Sequence, residues 1–136
     1  MRVFVSSQVV DRWPARALIA ALRQAGVEVE HSPRNPLDGE DPRWKNWYSE
    51  TLGAVVDGCD AFVIVLEPGW DSSAWMAIEA ETGLTPGRKT ERKAFVWNPD
   101  GVTVKAAGMT GYLRAELPRE LEAAVARLRE IGRAHV

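Results

Sequence analysis

The chain has 136 residues, 46% of them apolar and 26% charged, a profile that excludes disorder and collagen-like repeats and fits one domain over residues 1–136. Seventeen Lys+Arg against nineteen Asp+Glu leave a net charge of -2, so the cation excess that drives binding to a nucleic-acid polymer is missing. A lone cysteine, Cys59, excludes an internal disulfide and a Cys-based zinc site, and makes a reducing, cytoplasmic setting the default.

The apolar run at the N-terminus is too short for the core of a signal peptide, and no later run approaches the ~18 residues of a membrane span, so no membrane association is expected. Arg2-Val3-Phe4-Val5 reads as a buried strand. Pro14 opens a helix through about Gln24, with Leu18, Ile19 and Leu22 as its apolar stripe and Gly26 as its stop. Val27–Glu30 is a shorter, more polar strand suited to a sheet edge. His31–Arg43 is dense in turn formers and reads as a long, functional loop.

A helix follows over Pro42–Asp57, with Trp44, Trp47, Tyr48, Leu52, Val55 and Val56 on its apolar side. Ala61–Leu66 is the clearest strand, apolar on both faces as a central parallel strand must be. Asp71, Ser72 or Ser73 caps a helix that runs to Thr82 before Gly83. Lys93–Trp97 is a fourth strand, ended by Asn98-Pro99-Asp100-Gly101. Val102–Glu116 holds either a short fifth strand or a loop. Pro118 begins a last helix with Leu121, Val125, Leu128 and Ile131 as its buried stripe.

Alternating strands and helices of this kind predict an α/β, flavodoxin-like doubly wound parallel sheet of four to five strands with helices on both faces. Such a sheet binds ligands outside the carboxyl ends of its strands, where the strand order reverses. Ser6, Ser7 and Asp11 follow the first strand, Asp71 and Ser73 the third, and Asn98 the fourth.

The informative stretch is Cys59–Glu79. Gly69, Trp70 and Ser73 followed six positions later by Glu79 resemble the Gly-Trp-x-x-Ser pattern with its helical Glu in a small-domain branch of the nucleoside 2-deoxyribosyltransferase-like superfamily. The run from Trp44 through Tyr48 and Leu52 to Cys59-Asp60 is similar to that branch as well. Ser73-Ala74-Trp75-Met76-Ala77-Ile78-Glu79 also resembles the Ser-x-Trp-Cys-x-x-Glu motif of TIR domains, with Met76 in place of Cys, and Phe4-Val5-Ser6-Ser7 with Asp11 four residues on looks like a TIR start. Together these resemblances cover roughly residues 1–98.

Both resemblances imply cleavage or transfer of an N-glycosidic bond of a nucleoside, a nucleotide or NAD, with Glu79 as nucleophile; no cofactor is expected, and His31 and His135, far apart and without ligand spacing, predict no metal. A carboxylate aimed at the anomeric carbon suits an oxocarbenium-like transition state, by charge stabilisation or by attack. Glu81 is excluded as its companion, because two residues along a helix turn the side chain by ~200°. Trp75, Glu79 and Gly83 share one helix face, which would set a flat aromatic surface beside the carboxylate.

The remaining candidates carry two readings each. Ser6 and Ser7 fit either contacts to a sugar or phosphate, or turn capping. Asp71 and Ser73 fit a substrate contact or helix capping, Asn98 a substrate contact or a turn, and Asp60 the cap of a buried strand. A non-catalytic nucleotide-sensing or protein-interaction module is the remaining reading of the same residues. Six tryptophans (13, 44, 47, 70, 75 and 97) are many for this length. Because Trp is enriched at interfaces, they are expected on the substrate loop or on the contact surface of a homodimer or higher homo-oligomer.

Overall fold

The computed structural model describes residues 1–32, 50–104 and 115–133. Its strands are β1 (Arg2–Ser6), β2 (Glu28–Glu30), β3 (Ala61–Val65), β4 (Ala94–Trp97) and β5 (Ala115–Glu116). They form one parallel sheet in the order β2-β1-β3-β4-β5. The chain winds outward from β1 in one direction to β2 and in the other to β3, so the order reverses between β1 and β3, the position at which doubly wound sheets bind ligands.

Among the described residues the helices are α1 (Ala15–Gln24), α2 (Leu52–Asp57), α3 (Ala74–Gly83) and α4 (Leu121–Arg133). Side-chain alternation along each strand divides the core in two. Val3, Val5, Val63 and Val65 pack with Leu18, Ile19 and Leu22 of α1 and with Ala124, Val125 and Leu128 of α4. Phe4, Phe62 and Ile64 pack on the other face with Leu52 and Val56 of α2 and with Met76 and Ala80 of α3. The flavodoxin-like expectation is met, with five strands.

Several boundaries differ from the sequence reading for identifiable reasons. β1 extends one residue further, to Ser6, whereas β3 stops at Val65 and Leu66 donates its N–H to the Trp97 carbonyl. Lys93 belongs to a short 3-10 turn, Lys89–Lys93, rather than to β4. The last helix starts at Leu121 instead of Pro118, because the carbonyls of Pro118 and Arg119 both accept from Trp97 Nε1 at 3.1 Å. The predicted helix over Pro42–Asp57 is described only in its second half, as α2. Its first half, with Trp44, Trp47 and Tyr48, lies outside the described residues, as does most of the His31–Arg43 loop.

Gly26, at φ +83°, is the left-handed stop after α1 that the sequence predicts. Gly83 acts differently. A Cβ there would stand 2.4 Å from the Phe62 ring, so glycine lets the end of α3 settle on that ring, which stacks on Phe4 at 5.3 Å between centroids. Two of the tryptophans also depart from the expected surface placement. Trp70 and Trp97 are 2% and 0% exposed and build the two halves of the core. Trp13 is exposed, packs edge-on against Trp97 at 5.7 Å and donates to Asp100 at 2.9 Å.

Candidate active site

Glu79 lies on the buried side of α3, facing the carboxyl end of β1. Ser73 starts this helix as N-cap, its Oγ accepting from the Met76 N–H at 3.3 Å. Six residues later, Glu79 sits between the buried Met76 and Ala80 positions, so the same face that anchors α3 to the sheet carries a carboxylate. It is 2% exposed. An unpartnered carboxylate would not survive such burial. Ser6 Oγ donates to Glu79 Oε1 at 2.8 Å, and Ser32 Oγ donates to Glu79 Oε2.

Three separate elements meet in this triad: the end of β1, the residues just after β2, and the middle of α3. Each hydroxyl occupies one lone pair of one carboxylate oxygen, which fixes the plane of the carboxylate and leaves further acceptor capacity on both oxygens. Burial pushes the Glu79 carboxyl up from 4.5 to about 7, against the hydrogen bonds from Ser32 and Ser6, which pull it down. The group therefore changes charge near neutrality, as acid, base or nucleophile chemistry at a buried site requires.

A second buried carboxylate, Glu67, stands just past the end of β3 and is 4% exposed. Arg12 engages it with Nη2 at 3.0 Å and Nε at 3.3 Å, and Gln8, in the amide orientation that satisfies both groups, donates to Glu67 and to the Pro68 carbonyl at 3.2 Å. With the Trp13–Asp100 bond, this pair ties the β1–α1 segment across the carboxyl ends of β3 and β4. Two buried polar atoms at the same end, Ser7 Oγ and Trp70 Nε1, have no hydrogen-bond partner among the described residues. A buried donor left unmade costs about 1–3 kcal/mol, so such atoms call for an explanation.

The other sequence candidates are placed as follows. Asn98 is buried, but its amide closes the following turn: Nδ2 donates to the Val102 carbonyl at 2.9 Å and Oδ1 accepts from the Val102 N–H at 2.8 Å. Ser73 is engaged as the cap of α3. Asp71 is exposed on the 3-10 turn Trp70–Ser72. Trp75 is 39% exposed, so its ring does not share the enclosure of Glu79 although the two are one helical turn apart. Asp11 is exposed and lines a different cleft, on the α1 side. Asp60 lies at the amino end of β3, where it accepts from the Arg2 N–H at 2.8 Å and from Lys89 at 2.9 Å, and the Lys89 ammonium holds its carboxyl below the usual range. Burial pushes the Cys59 thiol up to about 12, which leaves it inert packing.

Sequence reading missed Ser32, Glu67 and Arg12 as members of this region. Ser32 was legible by one rule: continuing the alternation of β2 past its end puts Glu28, Glu30 and Ser32 on the α3 side and Val29 and His31 on the α1 side. Glu67 had a weaker signal, a carboxylate at the carboxyl end of the most apolar strand.

No protein-family model and no curated protein matches the chain. Among solved structures, it is similar to a 2-deoxyribosyltransferase from the psychrotolerant bacterium Bacillus psychrosaccharolyticus. The TM-score is 0.62 at 14% identity, over 90% of this chain and 88% of the other. It is also similar to a CMP N-glycosidase from Clostridium botulinum, with a TM-score of 0.50 at 15% identity over 95% and 99% of the two chains. The chain thus shares the α/β fold of these two proteins, the fold that the resemblance carried by Gly69, Trp70, Ser73 and Glu79 implies.

Proposed function

We propose that the protein cleaves or transfers the N-glycosidic bond of a nucleoside or nucleotide, with Glu79 as the nucleophile. The observation that carries this reading is the buried Glu79 carboxylate at the strand-order reversal, held by one serine hydroxyl on each oxygen. One Glu79 oxygen attacks the anomeric carbon, the carbon–nitrogen bond breaks, and its electron pair leaves on the base nitrogen. Water or an incoming base then attacks the same carbon and releases the carboxylate.

Ser6 and Ser32 act as positioning residues that hold the carboxylate plane. Positive charge developing on the sugar favours the ionised form that burial alone disfavours, so the group is stabilised most in the transition state. Ser7 Oγ and Trp70 Nε1 are buried donors without a partner among the described residues at the same end of the sheet. The likeness in fold to a deoxyribosyltransferase and a CMP N-glycosidase supports the reaction class.

One observation favours a second substrate within the same chemistry. Glu67, the other buried carboxylate among the described residues, has its oxygens engaged by the Arg12 guanidinium and does not touch Glu79. A leaving group that departs without protonation, such as the cationic nicotinamide of NAD, suits a site of this kind. The test is a panel of nucleosides, nucleotides and NAD, read by chromatography for released base or nicotinamide. The expected result is release by the natural sequence and at least a hundredfold loss in Glu79→Gln, an order of magnitude typical of a lost nucleophile. A natural sequence inert across the panel would overturn the reading in favour of a non-catalytic nucleotide-binding or interaction module.

A further inference from the structure

A cleft of about 520 Å³ opens on the α1 side of the sheet, on the face opposite Glu79. Arg16, Ala20 and Arg23 lie along one face of α1 and line it, together with Asp11 from the β1–α1 segment and His31 from the end of β2. The spacing explains the shape. Residues four and seven apart share a helix face, so two arginines flank a methyl group two helical turns in extent, and the small Ala20 leaves the space between them open. The volume lies within the ~300–1,000 Å³ of ordinary small-molecule sites.

The charge balance decides the class of ligand. Arg16 and Arg23 are both exposed, and neither guanidinium has a carboxylate partner among the described residues; Arg23 makes a single long contact, 3.4 Å, to the Val29 carbonyl. Four other described arginines, Arg2, Arg12, Arg88 and Arg127, are ion-paired; what sets Arg16 and Arg23 apart from the rest is that they line one cleft together. His31 Nδ1 lies 2.7 Å from the Ser32 carbonyl, which can only accept, so Nδ1 donates to it and Nε2 of the neutral ring is an acceptor at the rim of the cleft, leaving the two guanidinium groups as its donors. Among the described lining residues, two guanidinium forks share the cleft with a single carboxylate, Asp11. Guanidinium groups match the oxygens of a phosphate bidentately.

We propose that this cleft is a second ligand site, separate from Glu79, that binds a phosphate-bearing small molecule through Arg16 and Arg23. The site does not depend on the glycosidic chemistry assigned to Glu79. Its test is isothermal titration calorimetry of the full chain with inorganic pyrophosphate and with ribose 5-phosphate. The expected result is saturable binding of at least one probe, weakened about tenfold or more in the Arg16→Ala/Arg23→Ala double variant, since hydrogen bonds to charged groups carry most of such affinity. The Arg16→Lys/Arg23→Lys variant, which keeps charge and loses the fork, should fall between the two. Both arginines are exposed, so the variants should keep the circular dichroism of the natural sequence. No binding of either probe at millimolar concentration would overturn the proposal, and so would binding unchanged in the alanine variant.

Discussion

Replacing Glu79 with glutamine should abolish turnover and, above neutral pH, stabilise the fold. The wild-type carboxyl rises from 4.5 to about 7 on folding, because burial disfavours its charge more than Ser32 and Ser6 favour it. At 1.36 kcal/mol per pH unit, that rise corresponds to about 3 kcal/mol. The sign follows from which state holds the proton. Below pH 4.5 both states are protonated and the group costs nothing. Between 4.5 and about 7 the unfolded chain releases its proton while the folded chain keeps it, so stability falls as pH rises, and above about 7 the whole loss is in place.

Glutamine has nearly the same shape and never ionises, so the variant lacks this loss. Urea unfolding of both proteins from pH 4.5 to 8.5 isolates the effect, because all other titrating groups cancel in the difference. The stability of Glu79→Gln relative to the natural sequence should increase by about 3 kcal/mol across that range, most of it between pH 5 and 7. A difference that does not change with pH would refute the reasoning, since the carboxylate would then be hydrated or otherwise compensated in the folded state. The combination of lost activity and gained stability is that expected of a group kept for function at a cost to the fold.

Ser32→Ala removes a hydrogen bond that lowers the Glu79 carboxyl, so kcat/KM should drop roughly tenfold and the acid limb of its pH profile should move above 7. Gly83→Ala gains about 1 kcal/mol of helix propensity but drives a methyl group into the buried, stacked Phe62 ring. A net destabilisation of about 1–2 kcal/mol should appear as a lower urea midpoint, and an unchanged or higher midpoint would show that the ring can yield. Arg12→Ala leaves buried Glu67 without its cation. Because the Arg12 side chain is 56% exposed, the cost should be modest, about 1–2 kcal/mol by chemical denaturation, and should shrink when Glu67→Gln is added.

Sequence pattern reached the architecture because the two periodicities that define it are local. Ala61–Val65 is apolar at every position, and Leu18, Ile19 and Leu22 fall on one helical stripe. A chain that alternates such segments has few ways to bury them other than a parallel sheet with helices on both faces. Boundaries were less legible where a distant partner sets them. Trp97 holds the carbonyls of Pro118 and Arg119 out of the last helix, a bond across more than twenty residues that no local rule contains. The reading of tryptophan as a surface residue holds for Trp13 and Trp75 but fails for Trp70 and Trp97, for the same reason: these two are enclosed by elements distant in sequence.

The site divides along the same line. Residue type and spacing singled out Glu79, and alternation along β1 and β2 was enough in principle to aim Ser6 and Ser32 toward one face. Only the fold brings residues 6, 32 and 79 into one hydrogen-bonded group. That assembly requires β1 to lie between β2 and β3 with α3 packed over the α3-side face, a consequence of the strand order. It also decides which candidates have other work: Asn98 closes its own turn and Ser73 caps its own helix, both through bonds within four residues. The sequence by itself determined the doubly wound class and pointed to Glu79 as the candidate carboxylate, because periodicity and motif spacing are properties of the chain. Tertiary structure decided the burial, the hydroxyl partners and the raised proton affinity of that carboxylate, because each depends on which distant residues exclude water from it.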